Sequence, residues 1–342
     1  MSDLPSAAVT EPRDLDAEAT AAGIHRLAIP TPFAVGRVNS YLIDDEPLTL
    51  LDAGPNSGTS LEALSQAVAA RGFALEDIER LVISHQHMDH LGLIGLVAAR
   101  SGAEVVALDT LAPYAEAYAQ EAEADDQFAA QVMLSNGISG NVVSALYSVS
   151  RAFRGWGGRA DVTRVVSDGD ELDFRDRTLQ ILHRPGHSPT DTIFHDEQRR
   201  MLLAADHLLP HTSSNPLITR PLDAEGERSR ALATYMDSLA RTREMDLDVV
   251  LPGHGDPFTG HAELIDSHFA LHRRRAEKVY GLIAEQPRTA YELAQALWGD
   301  IAATRTFFTL SEVVGQTDLM VGDGRITATP DGEGVERFEA VR

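Results

Sequence analysis

The sequence predicts a layered α/β fold followed by a small helical module. Short apolar segments alternate with helical patterns over residues 24–108. Strand-and-turn patterns return over residues 162–206 and at 246–251. Strands that alternate with helices form sheets covered by helices, so we expect layered packing.

In the first half, each element follows from its apolar spacing and from the residues that end it. Leu61, Leu64 and Val68 recur at helical intervals, and Gly72 is a typical stop signal. We expect strands at residues 25–30, 38–44, 48–54, 80–84 and 104–108, and helices at 60–71 and 91–100.

Residues 110–160 interrupt this alternation and predict two packing helices. An alternative interpretation is a helical lid over a site, because insertions near a scaffold often carry specificity. The segment is rich in aromatic side chains, which favours a substrate with apolar bulk. These are Tyr114, Tyr118, Tyr147, Phe153 and Trp156.

The C-terminal residues 268–342 have the order of a winged-helix module. Helices are expected at 269–285, 289–297 and 305–315, followed by a hairpin over 319–329 with Asp323 and Gly324 at its turn. We therefore divide the chain into a flexible tail (1–22), a main domain (23–267) with the 110–160 insertion, and the winged-helix-like domain (268–342).

Composition excludes several function classes. The chain has 342 residues and no cysteine, which excludes disulfides, thiolate metal sites and cysteine nucleophiles. Its net charge of −23 opposes binding to phosphate backbones. No apolar run is long enough to span a membrane, and no secretory signal is visible. We expect a soluble, cytoplasmic protein without a membrane partner.

The densest chemical signal is the segment Ser84-His85-Gln86-His87-Met88-Asp89-His90, directly after an apolar strand. Two histidines separated by one residue lie on the same side of an extended segment. Further candidate ligands follow at strand ends. They are Asp52 in LTLLDAG, His187 in RPGHSPT, Asp206 in RRMLLAAD and His254 in VVLPGHGD. Apart from Asp52, these residues are five histidines and two aspartates, a set that suits two divalent ions with nitrogen and oxygen ligands.

These motifs resemble those of the metallo-β-lactamase superfamily, whose HxHxDH signature stands here at residues 85–90. The resemblance covers residues 24 to about 260. It implies an αββα sandwich of two mixed sheets. It also implies the ligand sets: His85, His87 and His187 for one metal, Asp89, His90 and His254 for the second, Asp206 bridging both, and Asp52 orienting a ligand histidine.

Among these proteins, the glyoxalase II and lactonase types are the most similar, because all seven ligands are present and no cysteine stands in the second site. The resemblance implies a binuclear hydrolase that attacks a small ester, thioester or lactone with a metal-bridging hydroxide. We expect two divalent ions, zinc in preference to iron or manganese. Asp89 would orient the nucleophile, and His207 and His211, just past a ligand, are candidate proton donors.

Two alternatives remain open. One is an endoribonuclease or nucleic-acid-binding protein, since the winged-helix-like module resembles that of such relatives. Residues 270–342, however, hold 9 Lys+Arg against 11 Asp+Glu, a net charge of −2, so nucleic acid is a disfavoured partner. We interpret the module as a packing or homodimerising element. The other alternative is a mononuclear iron persulfide dioxygenase, which the intact second ligand set disfavours.

Overall fold

The computed structural model describes residues 13–222, 226, 228–299 and 302–341. Two β-sheets pack face to face, and helices cover their outer sides. This arrangement confirms the predicted α/β sandwich. Its central core contains side chains from both sheets, among them Leu50, Val82, Ile181 and Leu203.

The first sheet has the strand order β1-β2-β3-β4-β5-β6. Its strands are β1 (Ile24–Ile29), β2 (Val38–Ile43), β3 (Thr49–Leu51), β4 (Arg80–Val82), β5 (Glu104–Leu108) and β6 (Arg164–Val166). The strands from β3 to β6 are parallel, so their carboxyl ends meet at one edge. Helix α2 (Gly58–Ala69) connects β3 to β4, and helices α3 (Met88–Leu91) and α4 (Ile94–Ser101) connect β4 to β5.

The second sheet has the order β11-β10-β9-β8-β7. Its strands are β7 (Glu171–Asp173), β8 (Thr178–His183), β9 (Thr192–Asp196), β10 (Met201–Ala205) and β11 (Val249–Pro252). Along β10, Leu203 faces the central core, whereas Leu202 packs with Tyr235 of α8 (Ala231–Arg243). This alternation buries both faces of the sheet, as the continuous apolar sequence of β10 requires.

The 110–160 insertion and the C-terminal module share one hydrophobic core. The insertion forms α5 (Ala112–Glu116), α6 (Tyr118–Ser135) and α7 (Gly140–Phe153). The module forms α9 (His261–Glu285), α10 (Ala290–Trp298), α11 (Ala302–Gly322) and the hairpin β12 (Ile326–Pro330) and β13 (Glu336–Ala340). Val132 and Met133 of α6 pack with Leu293 and Leu310, so this part of the insertion packs against the C-terminal module.

Two sequence predictions differ from the structure. Within the proposed flexible tail, residues 15–21 form α1 (Leu15–Ala21), because Asp14 caps it and Ala19 is buried. The predicted hairpin turn at Asp323 and Gly324 is wrong: α11 continues to Gly322, and the hairpin lies at 326–340. Gly324, with φ of 68°, ends the helix instead of turning a hairpin. Residues 1–12 of the tail lie outside the described part of the chain.

Among the described residues, no helix is long and apolar enough to cross a membrane.

Candidate metal centre

The predicted ligands converge on the sandwich edge where strands of both sheets end. Asp52 follows β3, His85 and His87 follow β4, Asp89 and His90 belong to α3, and His187, Asp206 and His254 follow β8, β10 and β11. Loops at the carboxyl ends of strands commonly build ligand sites. The structure thus brings together all seven residues that the sequence analysis named as metal ligands.

Three histidines form the first donor group. Nε2 of His85 and Nε2 of His187 each lie 3.0 Å from Nδ1 of His87. His85 is fully buried, whereas His87 and His187 are partly exposed. A substrate would therefore approach this group from the side of His87 and His187.

The second donor group consists of Asp89, His90 and His254. Their ligand atoms lie within 4.8 Å of one another. Nε2 of His254 is 3.4 Å from Oδ2 of Asp89. The first group offers three imidazoles and the second offers two imidazoles and a carboxylate, and such nitrogen and oxygen donors suit zinc, iron or manganese.

Asp206 lies between the two groups. Its Oδ2 is 3.5 Å from Nε2 of His187 and 3.5 Å from Nε2 of His254. Its Oδ1 is 3.4 Å from Nε2 of His90. One carboxylate therefore faces donors of both groups, as a bridging ligand would.

Asp52 orients two of the histidines from behind. Its Oδ2 accepts hydrogen bonds from Nδ1 of His90, at 2.7 Å, and from Oγ of Ser84, at 2.7 Å. Because the Ser84 hydroxyl donates to Asp52, it accepts from Nδ1 of His85, at 2.9 Å. These partners assign the proton of each ring to Nδ1 and leave a lone pair on Nε2. Both lone pairs point into the space between the seven candidate ligands, here called the crevice.

Backbone carbonyls accept hydrogen bonds from Nδ1 of two further histidines, His187 and His254. Nδ1 of His187 donates to the carbonyl of Asn215 at 3.1 Å, and Nδ1 of His254 donates to that of Arg37 at 2.8 Å. Four of the five imidazoles thus present a lone pair on Nε2 to the crevice. Lone pairs that face one another are stabilised when a cation lies among them, and such outer hydrogen bonds are typical of metal-binding histidines.

Two buried atoms in the crevice support the same assignment. Nε2 of His90 and Oδ1 of Asp206 have no hydrogen-bond partner among the described residues. A buried polar atom without a partner costs about 1–3 kcal/mol. Metal coordination would satisfy both atoms, so the residues present fit divalent ions.

The charges in the crevice also favour cations. Burial would lower the pKa of His90, but the carboxylates of Asp206 and Asp52 raise it well above its ordinary value. Burial would raise the pKa of Asp206, but His254 and His90 hold it well below its ordinary value. Burial lowers the pKa of His87 to about 3, beside His187. A bound cation would therefore take the place of the proton that the Asp52 and Asp206 carboxylates hold on His90, beside the ionised Asp206 and the neutral ring of His87.

Gly253 makes room for this arrangement. A β-carbon at Gly253 would lie 2.3 Å from Oδ1 of Asp206 and 3.0 Å from Cε1 of His90. The glycine of the PGHG motif is therefore needed for the close approach of the chain after β11 to the carboxylate of Asp206.

The two candidate proton donors lie differently from the ligands. His207 is fully buried, its Nε2 is 2.8 Å from Oγ1 of Thr242, and its ring packs beside Tyr235. Burial and the nearby Arg184 lower the pKa of His207 to about 3. His211 is exposed, and its Cδ2 would lie 3.7 Å from a β-carbon at Gly255, the residue after His254. Of the two, only His211 is exposed to solvent.

The sequence analysis assigned no role to Ser84, Gly253, Arg37 or Asn215. Ser84 and Gly253 lie inside the recognised motifs, so their roles follow once the ligands are placed. Arg37 and Asn215 act through main-chain carbonyls. Any residue supplies such a carbonyl, so no side-chain pattern identifies these two positions.

Comparisons with known proteins agree with this geometry. Residues 34–254 match the sequence model of the metallo-beta-lactamase superfamily. The probable metallo-hydrolase YqjP of Bacillus subtilis is 31% identical over 309 residues, which cover 90% of this chain and 95% of that protein. The acyl-coenzyme A thioesterase MBLAC2 of Bos taurus is 31% identical over 97 residues, 28% of this chain and 32% of that protein.

Among solved structures, the metallo-beta-lactamase family protein TTHA1429 of Thermus thermophilus has the same fold, with a TM-score of 0.79 and 24% identity over 93% of this chain and 99% of that one. The predicted resemblance is thereby confirmed, and so is the assignment to enzymes named as hydrolases. With its matched family model, its ligand geometry and its sandwich fold, the chain belongs to the metallo-beta-lactamase superfamily.

Proposed function

We propose that the protein is a binuclear metal-dependent hydrolase of a small ester, thioester or lactone. The observation that carries this proposal is the position of Asp206, whose Oδ2 lies 3.5 Å from Nε2 of both His187 and His254. His85, His87 and His187 would hold one ion, and Asp89, His90 and His254 the other, with Asp206 shared. Zinc is the favoured metal, because a given set of imidazole and carboxylate ligands generally binds Zn²⁺ more tightly than Fe²⁺ or Mn²⁺.

Two bound divalent ions would supply Lewis acidity and make hydroxide available near neutral pH. Around them, the protein's own residues hold the reactants. Burial would raise the pKa of Asp89, but its hydrogen bond with His254 and the charge of His90 keep it below its ordinary value. Asp89 is therefore an ionised carboxylate that can accept a hydrogen bond from the attacking nucleophile and orient its oxygen toward the acyl carbon.

A proton donor for the leaving group is assigned to His211 rather than His207. His211 is exposed to solvent beside Gly255. His207 is neutral at pH 7 and directed at Thr242, so it has no proton to give to the crevice. A thiolate leaving group needs little protonation, whereas an alkoxide needs more.

We assign the apolar part of the substrate to an aromatic patch formed by Phe33, Phe153 and Trp156. The ring of Phe33 lies 6.0 Å from that of Phe153 and 6.4 Å from that of Trp156. Phe33 is in the β1–β2 loop, whose Arg37 carbonyl holds His254. This patch suits an acyl chain, and the partial similarity to an acyl-coenzyme A thioesterase favours a thioester.

The test combines metal analysis with a substrate panel. The purified protein, and the variants His187→Ala and His254→Ala, are assayed for bound zinc, iron and manganese. The panel contains acyl thioesters of short and long chain, lactones, aryl esters and a structured RNA. The proposal expects about two ions per chain, the loss of about one ion in each variant, and turnover of an acyl substrate.

Three results would contradict the proposal. Cleavage of RNA with no acyl turnover would assign an endoribonuclease. A single iron with oxygen-dependent consumption of a persulfide would assign a dioxygenase. Absence of bound metal after reconstitution would refute the metal centre itself.

A further inference from the structure

Residues 213–218, here called the strap, connect the ligands with the C-terminal helices. The strap belongs to residues 207–222, which form neither helix nor strand. On one side, the carbonyl of Asn215 accepts the 3.1 Å hydrogen bond from Nδ1 of His187. The hydroxyl of Ser214, which is buried, donates to the carbonyl of Asp206. The strap therefore contacts a ligand of the first group and the shared carboxylate residue.

On its other side, the strap is held by α9 and α11. Nδ2 of Asn215 donates to the carbonyl of Phe308 at 3.0 Å. Oγ of Ser213 lies 3.2 Å from Nε2 of the buried His272. The amide of Ile218 donates to Oγ of Ser311 at 3.3 Å. Each of these contacts joins the strap to the C-terminal module.

We propose that the C-terminal module is a structural part of the metal centre, with Asn215 as the positioning residue for His187. The proposal rests on the metal centre of the proposed function and not on the substrate. The side chain of Asn215 holds on to α11 while its carbonyl orients His187. Through its side chain and its backbone carbonyl, Asn215 thus makes the orientation of the His187 ring depend on the position of α11.

Asn215 acts through two hydrogen bonds: its side chain holds its backbone in place, and its carbonyl keeps the proton of His187 on Nδ1. A carbonyl in a segment without helix or strand is placed only by the contacts of its neighbours. If the hydrogen bond of the Asn215 side chain is lost, the Asn215 carbonyl is free to shift. The ring of His187 is then no longer held in one orientation, and its proton is no longer held on Nδ1. Nε2 is then less often available as a lone pair directed at His87.

The test measures metal binding in Asn215→Ala and in the nearly isosteric Asn215→Asp. The aspartate removes the amide donor and sets a carboxylate against the Phe308 carbonyl. Metal-free protein is titrated with zinc against a chromogenic chelator and, separately, with cobalt while the visible spectrum is recorded. We expect the dissociation constant of one of the two ions to rise about tenfold or more, with an altered cobalt spectrum.

The matched control is Thr289→Ala. Thr289 caps α10 within the same module, and its hydroxyl accepts from the amide of Glu292 at 3.1 Å. The variant should lower the melting temperature of the module and leave both metal affinities unchanged. This control separates a positioning effect from general loosening of the C-terminal helices.

The outcomes are distinguishable. Two ions in the unaltered protein with weakened binding of one ion in both Asn215 variants would support the proposal. Unchanged affinity and spectrum in those variants would overturn it and leave the proposed function standing. Equal weakening in Thr289→Ala would also overturn it. Absence of metal binding in the unaltered protein would overturn the proposed function together with this inference.

Discussion

Oδ2 of Asp52 lies 2.7 Å from Nδ1 of His90, and both side chains are buried. Asp52 has a φ of 56°, a conformation that non-glycine residues seldom adopt. A position that tolerates this backbone strain is held by its surroundings. Here the carboxylate also accepts from the amide and the hydroxyl of Ser84, so one side chain organises the start of the HxHxDH segment.

Asp52→Asn should weaken metal binding about 10- to 100-fold, because an amide has only one acceptor oxygen and no charge to hold the Nδ1 proton of His90. Competition with a chromogenic chelator measures the loss. Asp45→Asn is the control: Asp45 is also buried, and its carboxylate accepts hydrogen bonds from Nε of Arg177, at 3.1 Å, and from the amides of Glu46 and Asp176, none of which is a candidate ligand. It should lower stability and leave the metal affinity unchanged. A loss of affinity that is equal in both variants would contradict the orienting role of Asp52.

Gly253→Ala should abolish binding of at least one metal ion, since the new methyl group would lie 2.3 Å from Oδ1 of Asp206. Metal analysis after dialysis and the rate of acyl turnover check this expectation. Gly281→Ala is the matched control, because nothing lies within 4 Å of its β-carbon and it sits inside α9. The control should stabilise the protein by about 0.5–1 kcal/mol. Normal metal content in Gly253→Ala would show that the crevice relaxes around the added methyl group.

His207→Asn should change the pH dependence of stability. The pKa of His207 is lowered from 6.5 to about 3 by burial and by Arg184. The unfolded chain therefore binds this proton first, and the stabilisation from neutral His207 is complete above pH 6.5 and is lost as the pH falls toward 3. By pH 5 the loss is about 2 kcal/mol.

The measurement is the urea unfolding free energy of both proteins at pH 7 and pH 5. The difference between wild type and His207→Asn should shrink by about 2 kcal/mol at the lower pH. Protonation of the metal ligands is common to both proteins and cancels in that difference. A difference that is the same at both pH values would show that His207 is not held neutral.

Phe153→Ala should raise KM for long-chain acyl substrates about 5- to 20-fold, because part of an aromatic contact surface is removed. The values for short-chain substrates should change less than about twofold. Steady-state kinetics with a chain-length series checks this. Leu134→Ala removes a similarly exposed apolar side chain from α6 and serves as the control. Parallel shifts for short and long chains would place the acyl group elsewhere.

Much of the fold and all seven candidate ligands could be predicted from the sequence. Strand β5 was predicted with its observed bounds, because a short apolar run between helical patterns has few alternatives. The end of α11 was misjudged, because Asp-Gly is a strong hairpin signal locally, whereas burial of Met320 in the C-terminal core keeps residues 319–322 helical. The aromatic residues of the insertion were also ambiguous. Tyr118 is buried, whereas Phe153 is exposed.

By itself, the sequence determined the chemistry: it identified the side chains that can bind metal and the strand that each of them follows. It also showed that no thiolate takes part, because the chain has no cysteine. Those features are written in residue type and local spacing. Tertiary structure alone decided that His207 turns away to Thr242 and that the carbonyls of Arg37 and Asn215 orient two ligands. These relationships join residues far apart in the chain, and some act through the backbone, which every residue shares. Only packing of the two sheets and the C-terminal helices brings them within hydrogen-bond distance.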